Sequence, residues 1–260
     1  MMYQFGDEQM TYKDRFFDLL KIYDVDLTKT RIGEKHDGGY VVLEELCAKT
    51  NFLYSFGIGD DVGFELDFVN RFPATKVLLF DPIIDKLPET HSNFAFYRWG
   101  IGPEQPDLIY AEGNSILKMD VEWCEWDALI NIPVDVLKQF EQVIVEFHIV
   151  HAIPREGLSS YFEAFYRSVF NKHVNERLFR IYYAALRKLS DSFYIFHMHP
   201  NNSLPVVACE DCIFPPLLEV SFVRKDLVGA VPSTESFPVK GLDFPNKLDR
   251  PDVSLEGLAY

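Results

Sequence analysis

The sequence predicts one doubly wound α/β domain, a seven-stranded mostly parallel sheet that ends in an antiparallel hairpin. Two observations carry this. Short apolar runs alternate with amphipathic stretches, the pattern of strands separated by crossover helices. The first five runs stand far enough apart for such crossovers, which implies parallel neighbours, whereas the last two are joined through proline-containing sequence without a clear helix. In order the runs are Phe52–Phe56, Lys76–Phe80, Ala95–Trp99, Ile116–Val121, Gln142–His148, Phe193–His199 and Glu219–Val223. A chain of 260 residues, 48% hydrophobic and 15% aromatic, can bury one large core and carry appendages.

The appendages follow from the remaining segments. Residues 1–50 read as an N-terminal helix and a strand-like lead-in: Phe16, Phe17, Leu20 and Tyr23 recur at helical spacing within Thr11–Tyr23. Asp37-Gly38-Gly39 then turns the chain into Tyr40-Val41-Val42-Leu43. Residues 51–228 hold the sheet, with a helical insert around 153–190 made of two candidates, Leu158–Phe170 and Asn175–Leu189. One helix suffices for the crossover, and the first candidate, with Tyr161, Phe162, Phe165, Tyr166 and Phe170, reads either as a lid over the acceptor or as core. Residues 229–260, with Pro232, Pro238, Pro245 and Pro251, read as an irregular tail packed on the domain.

Composition excludes several classes. A formal charge of −15 repels phosphate backbones, so nucleic acid is not the expected partner. No run approaches the roughly 20 apolar residues of a membrane span, and Met1–Lys13 is mixed and acidic rather than a secretory leader, which points to the cytoplasm. Cys47, Cys124, Cys209 and Cys212 are too scattered for a disulfide scaffold. Cys209 and Cys212 form a CxxC downstream of His197 and His199, but no second CxxC accompanies it, and loop thiols are preferred over a zinc site.

The most informative segment runs from Leu53 to Glu65. An apolar strand enters the turn Gly57-Ile58-Gly59-Asp60-Asp61, and a helix follows whose Phe64, Phe68 and Phe72 repeat every four residues. Gly57 and Gly59 would let the backbone pass close to a ligand, although such a turn also opens dinucleotide-binding folds and ordinary tight turns. The next strand ends in Asp81, about twenty residues after the glycines, where a carboxylate can accept hydrogen bonds from both ribose hydroxyls of an adenosine. Asp60 and Asp61 put two acids at the positive end of the helix. They suit a cationic adenosyl ligand better than a dianionic pyrophosphate.

Together with Asp81, the run Ser55-Phe56-Gly57-Ile58-Gly59-Asp60-Asp61 and the run from Leu117 to Trp126 resemble motifs of the FkbM-type and methyltransferase-like (domain 22) families. Lys118-Met119-Asp120-Val121-Glu122 is similar to their LKxDVEGxE signature; Arg31-Ile32-Gly33, Asp37-Gly38-Gly39-Tyr40, and His199 with Asn201-Asn202 add to the likeness, which spans roughly Arg31 to Asn246. Trp123 and Cys124 depart from it, standing where the signature has Gly and usually Ala. The resemblance implies a class I, Rossmann-like methyltransferase with S-adenosyl-L-methionine bound by Gly57, Gly59, Asp60 and Asp81. It also implies Trp99 against the adenine, Asp120 near the donor's amino group or reacting methyl, and Asp37 and Gly38 closing over the methionine end.

Ligands of such sheets sit beyond the carboxyl ends of the strands. The strands there deliver Asp120 and Glu122, Glu146 and His148, and His197 and His199. Methyl transfer to a hydroxyl needs alignment and the removal of one proton, and His148 or His199 is the candidate base, with Asp120 orienting the site. Alternatively Asp120, Glu146 and His148 could hold Mg²⁺ or Mn²⁺. The leading expectation is an O-methyltransferase acting on a sugar, glycan or other small polyhydroxylated acceptor. A nicotinamide-dependent oxidoreductase and a non-catalytic donor-binding module are the alternatives.

Overall fold

The computed structural model describes residues 10–101, 113–149, 172–209 and 212–255. Helix α1 (Tyr12–Asp18) opens the fold, closed at its start by a capping box between Thr11 and Asp14. It stops earlier than its apolar spacing predicts. Leu20 still turns into the core, but Tyr23 begins strand β1 (Tyr23–Val25). Strands β2 (Lys29–Ile32) and β3 (Tyr40–Leu43) form an antiparallel hairpin around the Asp37-Gly38-Gly39 turn, and α2 (Glu44–Cys47) follows.

The sheet is then laid down in order: β4 (Phe52–Phe56), α3 (Gly63–Arg71), β5 (Lys76–Phe80), β6 (Phe94–Tyr97), β7 (Ser115–Met119), α4 (Glu125–Asn131), α5 (Val134–Leu137), β8 (Phe140–His148), α6 (Lys172–Ser190) and β9 (Phe193–Pro200). A small hairpin, β10 (Val207–Cys209) and β11 (Cys212–Phe214), leads to β12 (Leu217–Arg224), and β13 (Ala230–Pro232) pairs with β1. The seven sheet strands run in the spatial order β6-β5-β4-β7-β8-β12-β9. Every pair from β6 to β8 is parallel; β12 runs antiparallel and is inserted between β8 and β9. The expected terminal hairpin is thus present, with its second strand on the inside. Of the two helices expected before β9, the second is α6, and Leu158–Phe170 lies outside the described residues.

Two apolar layers sandwich the sheet. On one face α1, α4 and α6 pack through Phe16, Trp126, Phe179 and Tyr182. On the other, α3 and the β2–β3 hairpin bury Phe64, Phe68, Ile32 and Tyr40. All nine residues of β8 are buried, as expected of a central strand covered on both faces. Its Gln142 accepts from the Leu43 amide at 2.8 Å, and Ser221 on β12 donates to the Val41 carbonyl at 2.7 Å, which seats the hairpin on the sheet. The segment after β13 reaches further in than a surface wrapping. Asp243, Asn246 and Asp252 return to the carboxyl end of β9 and the adjoining amino end of β12.

Candidate active site

Strand register gathers the site. Phe56 pairs with both Phe80 and Met119, so Gly57, Asp81 and Asp120 leave the sheet at one level. Met119 pairs with Val145, Glu146 with Glu219, and Glu219 with His199, which continues the same level across the sheet. One row at the carboxyl end therefore reads Asp81, Gly57, Asp120, Glu146, Glu219, His199.

The left half of this row is the glycine turn. Gly57 has φ 77°, and a Cβ there would lie 1.6 Å from the Asp120 carbonyl oxygen. Its close approach is to the chain itself, where β4 and β7 end together. Gly59, at φ 57°, faces open space within 4 Å of where its Cβ would stand. Asp61 accepts from the Gly63 amide at 2.7 Å and closes the start of α3, while Asp60 is exposed. Gly38, at φ 82°, sits where a Cβ would meet the Asp61 carboxylate at 2.5 Å, so the Asp37-Gly38 turn rests on the glycine turn.

Asp81 is engaged more fully than the sequence suggests. One carboxylate oxygen accepts from the Ile58 and Gly59 amides at 3.0 and 2.9 Å, the other from Ile83 and Ile84 at 2.7 and 3.1 Å. Burial alone would raise its pKa, but these four donors hold it below the usual carboxylate range. In this conformation Asp81 staples the turn, and ribose hydroxyls would have to share it. Trp99 packs edge-on against Phe56 and Phe80, at 5.8 and 5.6 Å between ring centres.

The right half is acidic. Tyr40 donates from its hydroxyl to Asp120 at 3.1 Å and also lies 3.5 Å from Glu146. Burial raises the pKa of Asp120, opposed by the charges of Lys118 and His148. Glu146 is raised well above the normal range, first by burial and then by Asp120 and Glu219. Asn201 donates to Glu146 at 3.2 Å.

Both candidate histidine bases are held between carboxylates. His148 has Nδ1 3.2 Å from Glu125 and Nε2 3.3 Å from Glu122. Burial pulls its pKa down, but those two hydrogen bonds and the surrounding acids outweigh it and push it up to about 11. His199 lies between Glu219 at 3.1 Å and Asp252 at 3.0 Å, and the same opposition raises it to about 10. Imidazoles in that state carry their proton near pH 7 and cannot accept another. Each ring nitrogen of the two histidines thus already faces a carboxylate. Asp120, Glu146 and His148 are brought together, their ligand atoms all within 4.8 Å, although both imidazole nitrogens already have partners.

Four contributors were not singled out from sequence. Glu125 occupies the last acidic position of the LKxDVEGxE-like run, a signal that was available. Tyr40 follows the Gly-Gly turn and Glu219 opens the last apolar run, but only pairing places them beside Asp120. Asn246 arrives from the tail.

Glu122 and Trp123 adopt φ of 46° and 78°. Trp123 thus stands in a left-handed conformation where the resembling signature has glycine, at a backbone cost of roughly 1–2 kcal/mol. Its ring packs 5.1 Å from that of His148. Trp123→Gly should therefore leave stability within about 1 kcal/mol of the parent chain, where truncating a Trp in a relaxed backbone costs about 3–5 kcal/mol. Urea unfolding measures this. A loss above about 3 kcal/mol would show that the ring, not the backbone, governs the position.

The described fold is a doubly wound α/β domain, a seven-stranded mostly parallel sheet with one antiparallel strand near its end. No protein-family model matches the chain, and no curated protein matches it in sequence, which leaves the FkbM-type resemblance on its motifs. Solved structures that it resembles include a 16S rRNA adenine N1-methyltransferase variant from Catenulisporales acidiphilia, at 11% identity over 80% of this chain and 98% of that one, TM-score 0.34. A methyltransferase of calicheamicin biosynthesis in its S-adenosylhomocysteine-bound form is 12% identical over 68% of this chain and 49% of that one, TM-score 0.29. A mitomycin 7-O-methyltransferase is 10% identical over 69% and 53%, TM-score 0.33. The fold assignment rests on the sheet order above rather than on these likenesses. No helix among the described residues is long and apolar enough to cross a membrane.

Proposed function

We propose that this chain is an S-adenosyl-L-methionine-dependent O-methyltransferase acting on a hydroxyl of a sugar, glycan or other small polyhydroxylated acceptor. The observation that carries the reading is the row of residues at the carboxyl end of the sheet, with the glycine turn at one end and carboxylates at the other. Such a row suits an adenosyl donor over Gly57–Gly59 with its sulfonium toward Asp120. The acids at Asp60 and Asp61 suit a cationic donor and oppose a pyrophosphate, which disfavours the nicotinamide reading.

In the transfer, the methyl carbon leaves sulfur with its bonding pair and forms a bond to the acceptor oxygen, whose proton passes to a base. Read from sequence alone, His148 and His199 are the candidates for that role. We assign it to Asp120, whose burial makes it a stronger base than an exposed carboxylate and whose Tyr40 partner fixes one oxygen. His148 acts as a fixed charge that holds Glu122 and Glu125, and His199 holds Glu219. The overall charge of −15 supports a neutral or cationic acceptor rather than nucleic acid. The test is incubation with methyl-labelled donor and a panel of polyols, glycans and RNA. Label should appear as an ether on a polyol or glycan; labelled RNA, or label on nitrogen, would contradict the assignment.

A further inference from the structure

Beneath the row at the carboxyl end of the sheet lies a charged pair that the proposed chemistry does not use. Lys118 stands two residues before Asp120 on β7, and the alternation of a strand puts both side chains on the face covered by α3 and the β2–β3 hairpin. Lys118 is 6% exposed, with its Nζ 3.7 Å from Glu65 of α3. Glu65 is 1% exposed and accepts, at the same oxygen, from Ser55, the register neighbour of Lys118 on β4. Burying two charges costs desolvation that their attraction often fails to offset, and well-packed neutral side chains of similar size commonly hold a fold as well. Stability alone therefore does not account for the pair.

The ammonium also meets Tyr40. It stands over the Tyr40 ring, 5.2 Å from the ring centre, and 6.0 Å from that of Phe64, whose ring packs edge-on against Tyr40 at 5.4 Å. A desolvated cation over an aromatic face is held by the ring's quadrupole and in turn restrains the ring. The placement of this ring matters because the Tyr40 hydroxyl has one proton and two carboxylates in reach, Asp120 at 3.1 Å and Glu146 at 3.5 Å. A small rotation would turn the hydroxyl to Glu146 and leave Asp120 without its partner.

We propose that Lys118 is a positioning residue: seated between Glu65 and the rings of Tyr40 and Phe64, it keeps the Tyr40 hydroxyl on Asp120 rather than on Glu146. Ser55 and Glu65 hold the ammonium in turn, so the contacts run from Ser55 through Glu65, Lys118 and Tyr40 to Asp120. Only the effect on rate rests on the proposed methyl transfer, through the Asp120 oxygen that Tyr40 fixes.

Lys118→Met alone leaves the Glu65 charge buried without its partner, so the test combines it with Glu65→Gln, which keeps the size and the Ser55 contact. The melting temperature of this double variant should equal or exceed that of the parent chain. A large drop would make the pair structural and overturn the proposal. With tyrosine labelled by ¹³C at the ζ carbon, the Tyr40 resonance, identified by its absence in Tyr40→Phe, should move in the double variant toward its position in Asp120→Asn. A resonance that stays in place overturns the proposal, whether or not the chain turns over. In turnover, kcat should fall by about 10–100-fold while acceptor KM and S-adenosylhomocysteine affinity stay within about threefold. The same two changes made in Tyr40→Phe should cost no more than about twofold further, since the partner through which Lys118 acts is already gone. A full additional loss there, or parent-like kcat in the double variant while Asp120→Asn is slowed, contradicts the inference. If Asp120→Asn itself turns over normally, the assignment of Asp120 as base has failed, and the resonance alone decides whether Lys118 places Tyr40.

Discussion

Asp120→Asn should lower kcat by about 10²–10⁴ while the affinity for S-adenosylhomocysteine changes by no more than about threefold. The substitution keeps the side chain's size and an oxygen for the Tyr40 hydroxyl, which lies 3.1 Å from the carboxylate, so packing and the Tyr40 contact survive. What is lost is the proton acceptor. Because burial raises the pKa of Asp120, activity should be lost as pH falls through a value above that of an exposed Asp, and this limb should disappear from the residual activity of the variant. Turnover and donor titration on one preparation give both readings. Parent-like kcat in Asp120→Asn would remove Asp120 from the chemistry.

The second large effect concerns folding. Gly57→Val should destabilise the chain by about 3–5 kcal/mol, because the new Cβ would overlap the Asp120 carbonyl oxygen and the residue would keep φ near 77°. Two strand ends must separate to admit it, so the loss is one of stability as well as of donor binding. Gly59→Ala is the contrast. No atom lies within 4 Å of its Cβ position, so only the backbone cost of about 1–2 kcal/mol applies, and any larger drop in donor affinity reports ligand contact. Denaturant unfolding of the two variants distinguishes the cases; equal stability would mean that the β4 and β7 ends are not in contact.

The sheet was legible because each of its strands is an apolar run bounded by polar turns, and buried parallel strands must read that way. The insertion of β12 inside β9 was not legible, since run order along the chain carries no information about spatial order. The same limit hid the site. Asp81, Gly57 and Asp120 could be named from motifs, but the row continues to Glu219 only through the pairing of Glu146 with Glu219. His199 looked like a base because a histidine at a strand end is chemically able to be one. Its partner Asp252 comes from a proline-rich segment that has no periodicity to place it. Trp123 broke a glycine position in the signature, and the structure gives that break a physical form in a left-handed tryptophan.

On the proposed reading the glycine turn and the acids beside it bind an adenosyl donor whose positive charge is its sulfonium. Calorimetric titration of the full chain with S-adenosylhomocysteine and, separately, with NAD tests it most directly. Saturable binding of S-adenosylhomocysteine, weakened in Gly59→Ala, is expected, together with a rise in melting temperature through mass action and no response to NAD. Binding of NAD without binding of S-adenosylhomocysteine would contradict it.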